Sequence, residues 1–275
     1  MIENTSKKLG WINGKWGIFK DLKVPINDRG LNFADGIFET IVILNGVPQL
    51  LNEHLNRWEK SASILEMNPP PSKEWLISLI EDGINRSKLN NVNGVIRINW
   101  TRGESKQRGI DISKTNRHSF WLEIDSYQLN FESISTIISQ TERRNSFSRL
   151  SCCKTFSYNQ GIQARIEATN AGFNDALLLN NRGEICCATT ANILVKRENN
   201  WFTPPSNSGC LPGIMRQRGI DLNIIKEALI EATPKDNDEW FLINSLSCRP
   251  INKINNKELK TSTNPAEFWL SLLKI

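Results

Sequence analysis

The sequence predicts an α/β chain of the α+β kind in two domains, and three observations carry that expectation. Asn-Gly dipeptides stand between apolar runs twice near the start, alternating strand runs and amphipathic helical runs both recur, and the pattern changes near SYQLNFES, residues 126–133. The chain has 275 residues, 39% hydrophobic and 23% charged, enough for one large core or two smaller ones. The change of pattern places a small β-rich domain over residues 1–126 and a larger one over 127–275.

Each element follows from local chemistry. WINGKWGIF (11–19) and IVILNGVPQLL (41–51) read as tight hairpins, because Asn-Gly accepts the two positive φ angles of a type I′ turn. Leu55, Trp58, Ala62 and Leu65 recur at helical spacing; Trp75, Leu76, Leu79, Ile80 and Ile84 do so again after the breaker NPPPS. GVIRINW (94–100) and SFWLEI (119–124) are further strands. The second domain opens with ISTIIS, followed by a helix near 160–171 and a buried strand DALLL. GEICCATTANILV (183–195) then forms its hairpin partner. A helix is expected over about 214–232, then a strand EWFLI and a last helix over about 265–274. Asn264, Pro265 and Glu267 supply that helix with an N-cap, a proline at N1 and an acid at N3.

Composition narrows the function. No apolar run approaches the roughly 20 residues that cross a bilayer, and the N-terminus lacks an apolar signal segment, so the cytoplasm is the expected compartment and no membrane partner is expected. Of six cysteines, four form the adjacent pairs Cys152/Cys153 and Cys186/Cys187; no disulfide framework or CxxC motif emerges. With only two histidines, His54 and His118, no metal site is expected. The net charge of +5 is scattered, which argues against nucleic acid and leaves small anionic ligands open.

Four places can carry chemistry. Lys154 follows small and apolar residues and precedes a helix; a lysine in apolar surroundings loses basicity and becomes a usable nucleophile or proton shuttle. GCLPGIMRQ (209–217) turns into a helix, so the free amides of Ile214 and Met215 face outward at the positive end of its dipole. Arg57 lies on the polar side of the first amphipathic helix, and Ser245 follows a buried strand. A guanidinium, helix amides and a hydroxyl together suit one phosphate group.

INDRGLNFADGIFETI, HLNRWEKSA, KTFSYNQGIQARIEA, the G-x-I-x6-N run from Gly183 to Asn192, LPGIMR and FLINSLSCRPI occur in a familiar order and spacing. Their arrangement resembles the fold type IV pyridoxal-phosphate enzymes, which comprise branched-chain aminotransferases, D-amino acid transaminases and 4-amino-4-deoxychorismate lyases. The resemblance implies a larger domain with a β-barrel-like core flanked by helices, pyridoxal 5′-phosphate as cofactor, and a homodimer. It makes Lys154 the aldimine lysine and proton shuttle. Arg57, the amides of Ile214 and Met215, and Ser245 match the phosphate cradle, and Tyr158 the residue near the pyridine 3′ oxygen.

Among the members, INWTRGESKQRGID (98–111) is similar to the RGxxxRGY segment of the lyases, with a gap one residue longer and Ile110 in place of the tyrosine. The lyase reading implies a dicarboxylate substrate, 4-amino-4-deoxychorismate, converted to 4-aminobenzoate and pyruvate in folate biosynthesis. Arg102 and Arg108 are then candidates for its carboxylates, with Thr40 and Phe33 facing the pocket. An aminotransferase for D- or branched-chain amino acids is the alternative, and a non-catalytic relative that only binds the cofactor is the third. The chain departs from the family at one position. The glutamate that usually holds a proton on the pyridine nitrogen is replaced by Cys187. Glu184, three places earlier, is expected on the other face unless a bulge shifts the register, and Cys186 opposite Cys187.

Overall fold

The computed structural model describes residues 8–105, 108–112 and 117–274. The chain forms two compact units: Met1–Gln128 together with Cys153–Ser157, and Leu129–Cys152 together with Tyr158–Ile275.

In the first unit, β1 (Leu9–Ile12), β2 (Lys15–Ile18), β3 (Gly36–Leu44), β4 (Val47–Pro48), β5 (Gly94–Thr101) and β6 (Ser119–Ser126) make one sheet in the order β2-β1-β6-β5-β3-β4. Both hairpin turns have the expected positive φ angles, 51° and 83° at Asn13 and Gly14 and 48° and 83° at Asn45 and Gly46. A short helix α1 (Arg29–Phe33) precedes β3, and α2 (Leu51–Ile64) and α3 (Lys73–Arg86) follow β4. Alternation along β3 sends Ile37, Ile41 and Ile43 to one face, where Leu55 and Trp58 of α2 and Leu76 and Ile80 of α3 complete the core. Phe38 and Thr40 therefore point to the opposite face.

The second unit is a nine-stranded sheet. It comprises β7 (Ile134–Arg144), β8 (Asp175–Asn180), β9 (Ile185–Ala188), β10 (Asn192–Arg197), β11 (Asn200–Thr203), β12 (Ile225–Glu227), β13 (Glu239–Asn244), β14 (Ser247–Ile254) and β15 (Lys257–Glu258). Along the sheet the order is β12-β11-β10-β13-β14-β7-β8-β9, with β15 beside β14. One apolar cluster draws Leu177 and Ile185 from one end of this order and Val195, Trp240 and Ile251 from further along, so the sheet curls around a shared core. Helix α4 (Asn159–Asn170) covers the other face through Ala164 and Ala168. Helices α5 (Ile214–Asp221) and α6 (Pro265–Ser271) complete the unit.

Two expectations are corrected. The helix predicted over 214–232 stops at Asp221: Asn223 turns left-handed at φ 58°, and residues 225–227 instead pair in parallel with β11. Strand pairing and burial of Ile225 against Gly219 outweigh local helix propensity there. The last helix ends at Ser271, earlier than its pattern suggests, although its start is as read: the Asn264 side chain accepts from the amides of Ala266 and Glu267. Asn264→Ala is therefore expected to destabilise the protein by about 1 kcal/mol, read as a lowered urea midpoint at unchanged slope; an unaltered midpoint would contradict the cap.

Candidate active site

Lys154 is placed by backbone pairing within the first unit. The Phe38 amide donates to the Lys154 carbonyl at 3.0 Å and the Phe156 amide to the Gly36 carbonyl at 2.9 Å, with Thr155 bridging Ile37. This approach requires glycine at 36, since a Cβ there would stand 2.9 Å from Thr101 and 3.2 Å from the Phe156 ring. The lysine amine sits 4.4 Å from the centre of the Phe38 ring, and the Arg97 guanidinium lies 3.7 Å from the same centre. Thr40 pairs directly with Arg97 across the sheet, so Phe38, Thr40, Arg97 and Lys154 gather on one face. Sequence reading missed Arg97; its signal was register, as it stands opposite Thr40 in the next long strand.

Arg57 turns inward rather than lying on a polar helix surface. Its side chain is 10% exposed and grips fully buried Glu39 side-on, Nε to Oε1 at 2.7 Å and Nη2 to Oε2 at 2.6 Å. His54, one helical turn earlier, has Nδ1 2.7 Å from Oε2 of the same carboxylate. Burial alone would raise the Glu39 pKa, but the Arg57 charge and the His54 hydrogen bond reverse this and hold it at about 2. Burial lowers the His54 pKa against the pull of Glu39, and the Arg57 and Lys154 charges add to the lowering. The histidine is thus neutral and donates from Nδ1. Neither Glu39 nor His54 was singled out from sequence.

The arginine candidates for substrate divide. Arg102 is buried at 6% exposure, and its Nε donates to Asp35 at 3.0 Å, its Nη1 to the Glu66 carbonyl at 2.8 Å and its Nη2 to the Leu65 carbonyl. Each guanidinium nitrogen of Arg102 thus has a partner within the protein, two of them at the end of α2. Asp35 also binds Arg29, whose other nitrogens hold the carbonyls of Ile110 and Asp111. Arg108 is exposed at a bend in this anchored segment, of which Lys106 and Gln107 lie outside the described residues. Phe33 is exposed on the last turn of α1, with the Arg29 guanidinium 5.0 Å from the centre of its ring.

In the second unit, three loops are pinned together. Asn192 donates to the Leu211 carbonyl at 2.8 Å, and its side-chain oxygen would lie 1.9 Å from a Cβ on Gly213, so only glycine lets the α5 loop approach. Gly213 caps α5 without a side-chain hydrogen bond to the first-turn amides, which include those of Ile214 and Met215. Asn244 accepts from the amides of Leu246 and Ser247, shaping a turn with Ser245 at its tip, and donates to the Thr190 carbonyl. Uncapped helix amides beside a hydroxyl-bearing turn fit a phosphate. Tyr158 begins α4, half-buried.

The thiols are rearranged relative to expectation. Leu178 pairs with Cys187 but Leu179 with Ile185, so Cys186 is the extra residue of a β-bulge. Both thiols consequently lie in one apolar cluster with Cys210, Ala164 and Ala168. The neighbouring Cys187 and Cys210 thiols, together with burial, push the Cys186 pKa up and keep it a thiol. Glu184 cannot serve in place of Cys187, because its carboxylate holds Asn180 at 2.7 Å and Arg182 at 2.8 Å. All six cysteines are free. Among the described residues no helix is long and apolar enough to cross a membrane.

These features define a fold of curled sheet and helices, with Lys154 and Arg57 in the first unit and the first turn of α5 and the Ser245 turn in the second. The family model for class IV aminotransferases matches residues 36–254. A provisionally named branched-chain-amino-acid aminotransferase of Methanocaldococcus jannaschii is 32% identical over 224 residues, covering 80% of this chain and 76% of its own. The aminodeoxychorismate lyase of Bacillus subtilis is 22% identical over 273 residues, 96% of this chain and 92% of its own. The crystal structure of a Brucella abortus aminotransferase bound to pyridoxal phosphate shares the fold at TM-score 0.86 and 19% identity, covering 97% of each chain. The chain belongs to the class IV aminotransferase family, and pyridoxal 5′-phosphate is its cofactor.

The Glu39–His54–Arg57 cluster makes a pH prediction. Below pH 6.5 the unfolded chain protonates His54 while the folded protein resists, so stability is expected to fall with acidification from there, approaching about 1.4 kcal/mol per pH unit per proton. A second loss follows as pH drops from 4.5 toward 2, where Glu39 is ionised only when folded. Denaturant titrations from pH 8 to 3 should show the first slope flattened in His54→Asn. An identical slope in the variant would rule the histidine out as its source.

Proposed function

We propose that the protein is a pyridoxal-phosphate-dependent lyase that converts 4-amino-4-deoxychorismate to 4-aminobenzoate and pyruvate, a step of folate biosynthesis. The observation that carries this reading is the buried thiol of Cys187 where the family places an acid, with Glu184 committed to Asn180 and Arg182. A transaminase must hold negative charge on substrate carbon long enough to reprotonate it elsewhere, which favours a strong electron sink. An elimination that yields an aromatic ring draws its driving force from the product and tolerates a weaker one.

Bound pyridoxal phosphate supplies the electron sink for this chemistry. Arg57, the amides of Ile214 and Met215, and Ser245 would hold its phosphate, and Tyr158 would serve its 3′ oxygen. Lys154 provides the amine that anchors the cofactor, then takes the proton from the substrate ring carbon that bears nitrogen. Loss of the enolpyruvyl group makes the ring aromatic, and Lys154 returns the proton to the departing enol carbon. Arg108, joined by Arg97 in place of Arg102, binds the two substrate carboxylates, and Thr40 shares their face. The working form under this reading is a cytoplasmic homodimer.

The second reading, a D- or branched-chain amino acid aminotransferase, is favoured by the 32% identity to the Methanocaldococcus protein. A binding protein without turnover is disfavoured by the lysine standing beside Phe38.

Purified protein is expected to release 4-aminobenzoate from enzymatically generated aminodeoxychorismate faster than it transfers nitrogen from D-alanine or leucine to an oxo acid; the reverse ranking would establish the aminotransferase. Lys154→Ala should reduce turnover by about a thousandfold or more and abolish the visible absorption of the bound cofactor. Cys187→Glu should raise amino transfer relative to lyase turnover, and an unchanged ratio would remove the thiol from the argument.

A further inference from the structure

Glu39 is an anomaly of packing. It lies between Phe38 and Thr40, so it faces away from Lys154 and into the apolar core, flanked on its own side of β3 by fully buried Ile37 and Ile41. A carboxylate there loses its hydration, and nothing in the surrounding cluster of isoleucine, leucine and tryptophan needs a charge. What it does instead is hold two residues of α2. His54 and Arg57 are three positions apart, on one side of the helix, and both reach the same carboxylate.

We propose that Glu39 is the positioning residue for Arg57, with His54 as the brace that fixes the carboxylate; this rests on reading Arg57 as a phosphate ligand. The geometry specifies how it acts. Two parallel hydrogen bonds, Nε to Oε1 and Nη2 to Oε2, set both the depth and the plane of the guanidinium, which one bond or a neutral partner would leave free to rotate. Nδ1 of His54 donates to Oε2 and stops the carboxylate from turning about its own bond. The cluster carries one negative and one positive charge with a neutral histidine, so the arginine is held in the interior without a net charge to solvate. Glu39 and His54 thereby act on cofactor affinity through the phosphate alone, and touch neither substrate nor the reacting atoms.

The test compares pyridoxal 5′-phosphate with pyridoxal, which lacks the phosphate, by tryptophan fluorescence quenching of cofactor-stripped full-length protein. Glu39→Gln, close in shape, is expected to weaken pyridoxal phosphate at least about tenfold while leaving pyridoxal unchanged. Arg57→Ala should do the same, and the double variant should lose no more than Arg57→Ala alone. His54→Ala should lower the preference for the phosphorylated form, and His54→Asn, which restores a donor where Nδ1 stood, should recover it. Equal weakening of both ligands by Glu39→Gln, or tighter pyridoxal phosphate binding, would overturn the proposal. If Glu39→Gln fails to fold, the two His54 variants decide alone, and equal behaviour of alanine and asparagine there would overturn it. A preference untouched by Arg57→Ala would instead sink the phosphate role of Arg57, separating that failure from this one.

Discussion

Two backbone hydrogen bonds between residues 154–156 and the leading end of β3 organise the lysine side of the protein. They draw Cys153–Ser157 into the first unit, although the chain on either side belongs to the second. Their reach demands a strand that begins without a side chain, met by Gly36, and an aromatic residue on each partner, met by Phe38 and Phe156, whose rings lie 6.0 Å apart. The amine of Lys154 is then beside an aromatic face and within electrostatic reach of His54. Backbone pairing fixes the main chain at Lys154 and is indifferent to the movements of the side chain it carries.

Around that joint, carboxylates do the fastening. Asp28 is fully buried and accepts from the Gly30 amide, the Thr101 hydroxyl and the Ser119 hydroxyl, joining α1 to two strands. Asp35 binds Arg29 with one oxygen and Arg102 with the other, tying the segment after β5 to the end of α2. Glu39 fastens α2 to β3. Each acid is satisfied by directional donors, the condition under which a buried charge is tolerated, and together they tie the helices of the first unit to its sheet. In the second unit carboxylates such as Glu167, which ties α4 to β7, are joined by asparagines: Asn192 and Asn244 bridge loops that strand pairing alone would leave independent.

The α5 loop and the β9 hairpin of the second unit are packed in contrasting ways. Gly213 and Asn192 approach closely, whereas the bulge at Cys186 places two thiols in an apolar cluster with alanines of α4. A thiol, unlike a carboxylate, does not demand hydration, so it suits this apolar setting.

Local chemistry made much of this legible in advance. Asn-Gly turns, the Asn264 cap and the helical spacing of Leu55, Trp58 and Ala62 act within a few residues, so sequence alone determined those elements, the order of the motifs and the substitution at Cys187. Distant partners decided the rest. Arg102 resembled a substrate fork until folding brought Asp35, 67 residues away, against it. Glu39 resembled a polar interruption in a buried strand until α2 laid two donors over it. Residues 225–227 carried helical propensity, yet an open strand edge offered their backbone a better partner. Hydrogen-bond satisfaction of a buried charge or an exposed edge is a property of the assembled chain, and only the tertiary structure could settle it.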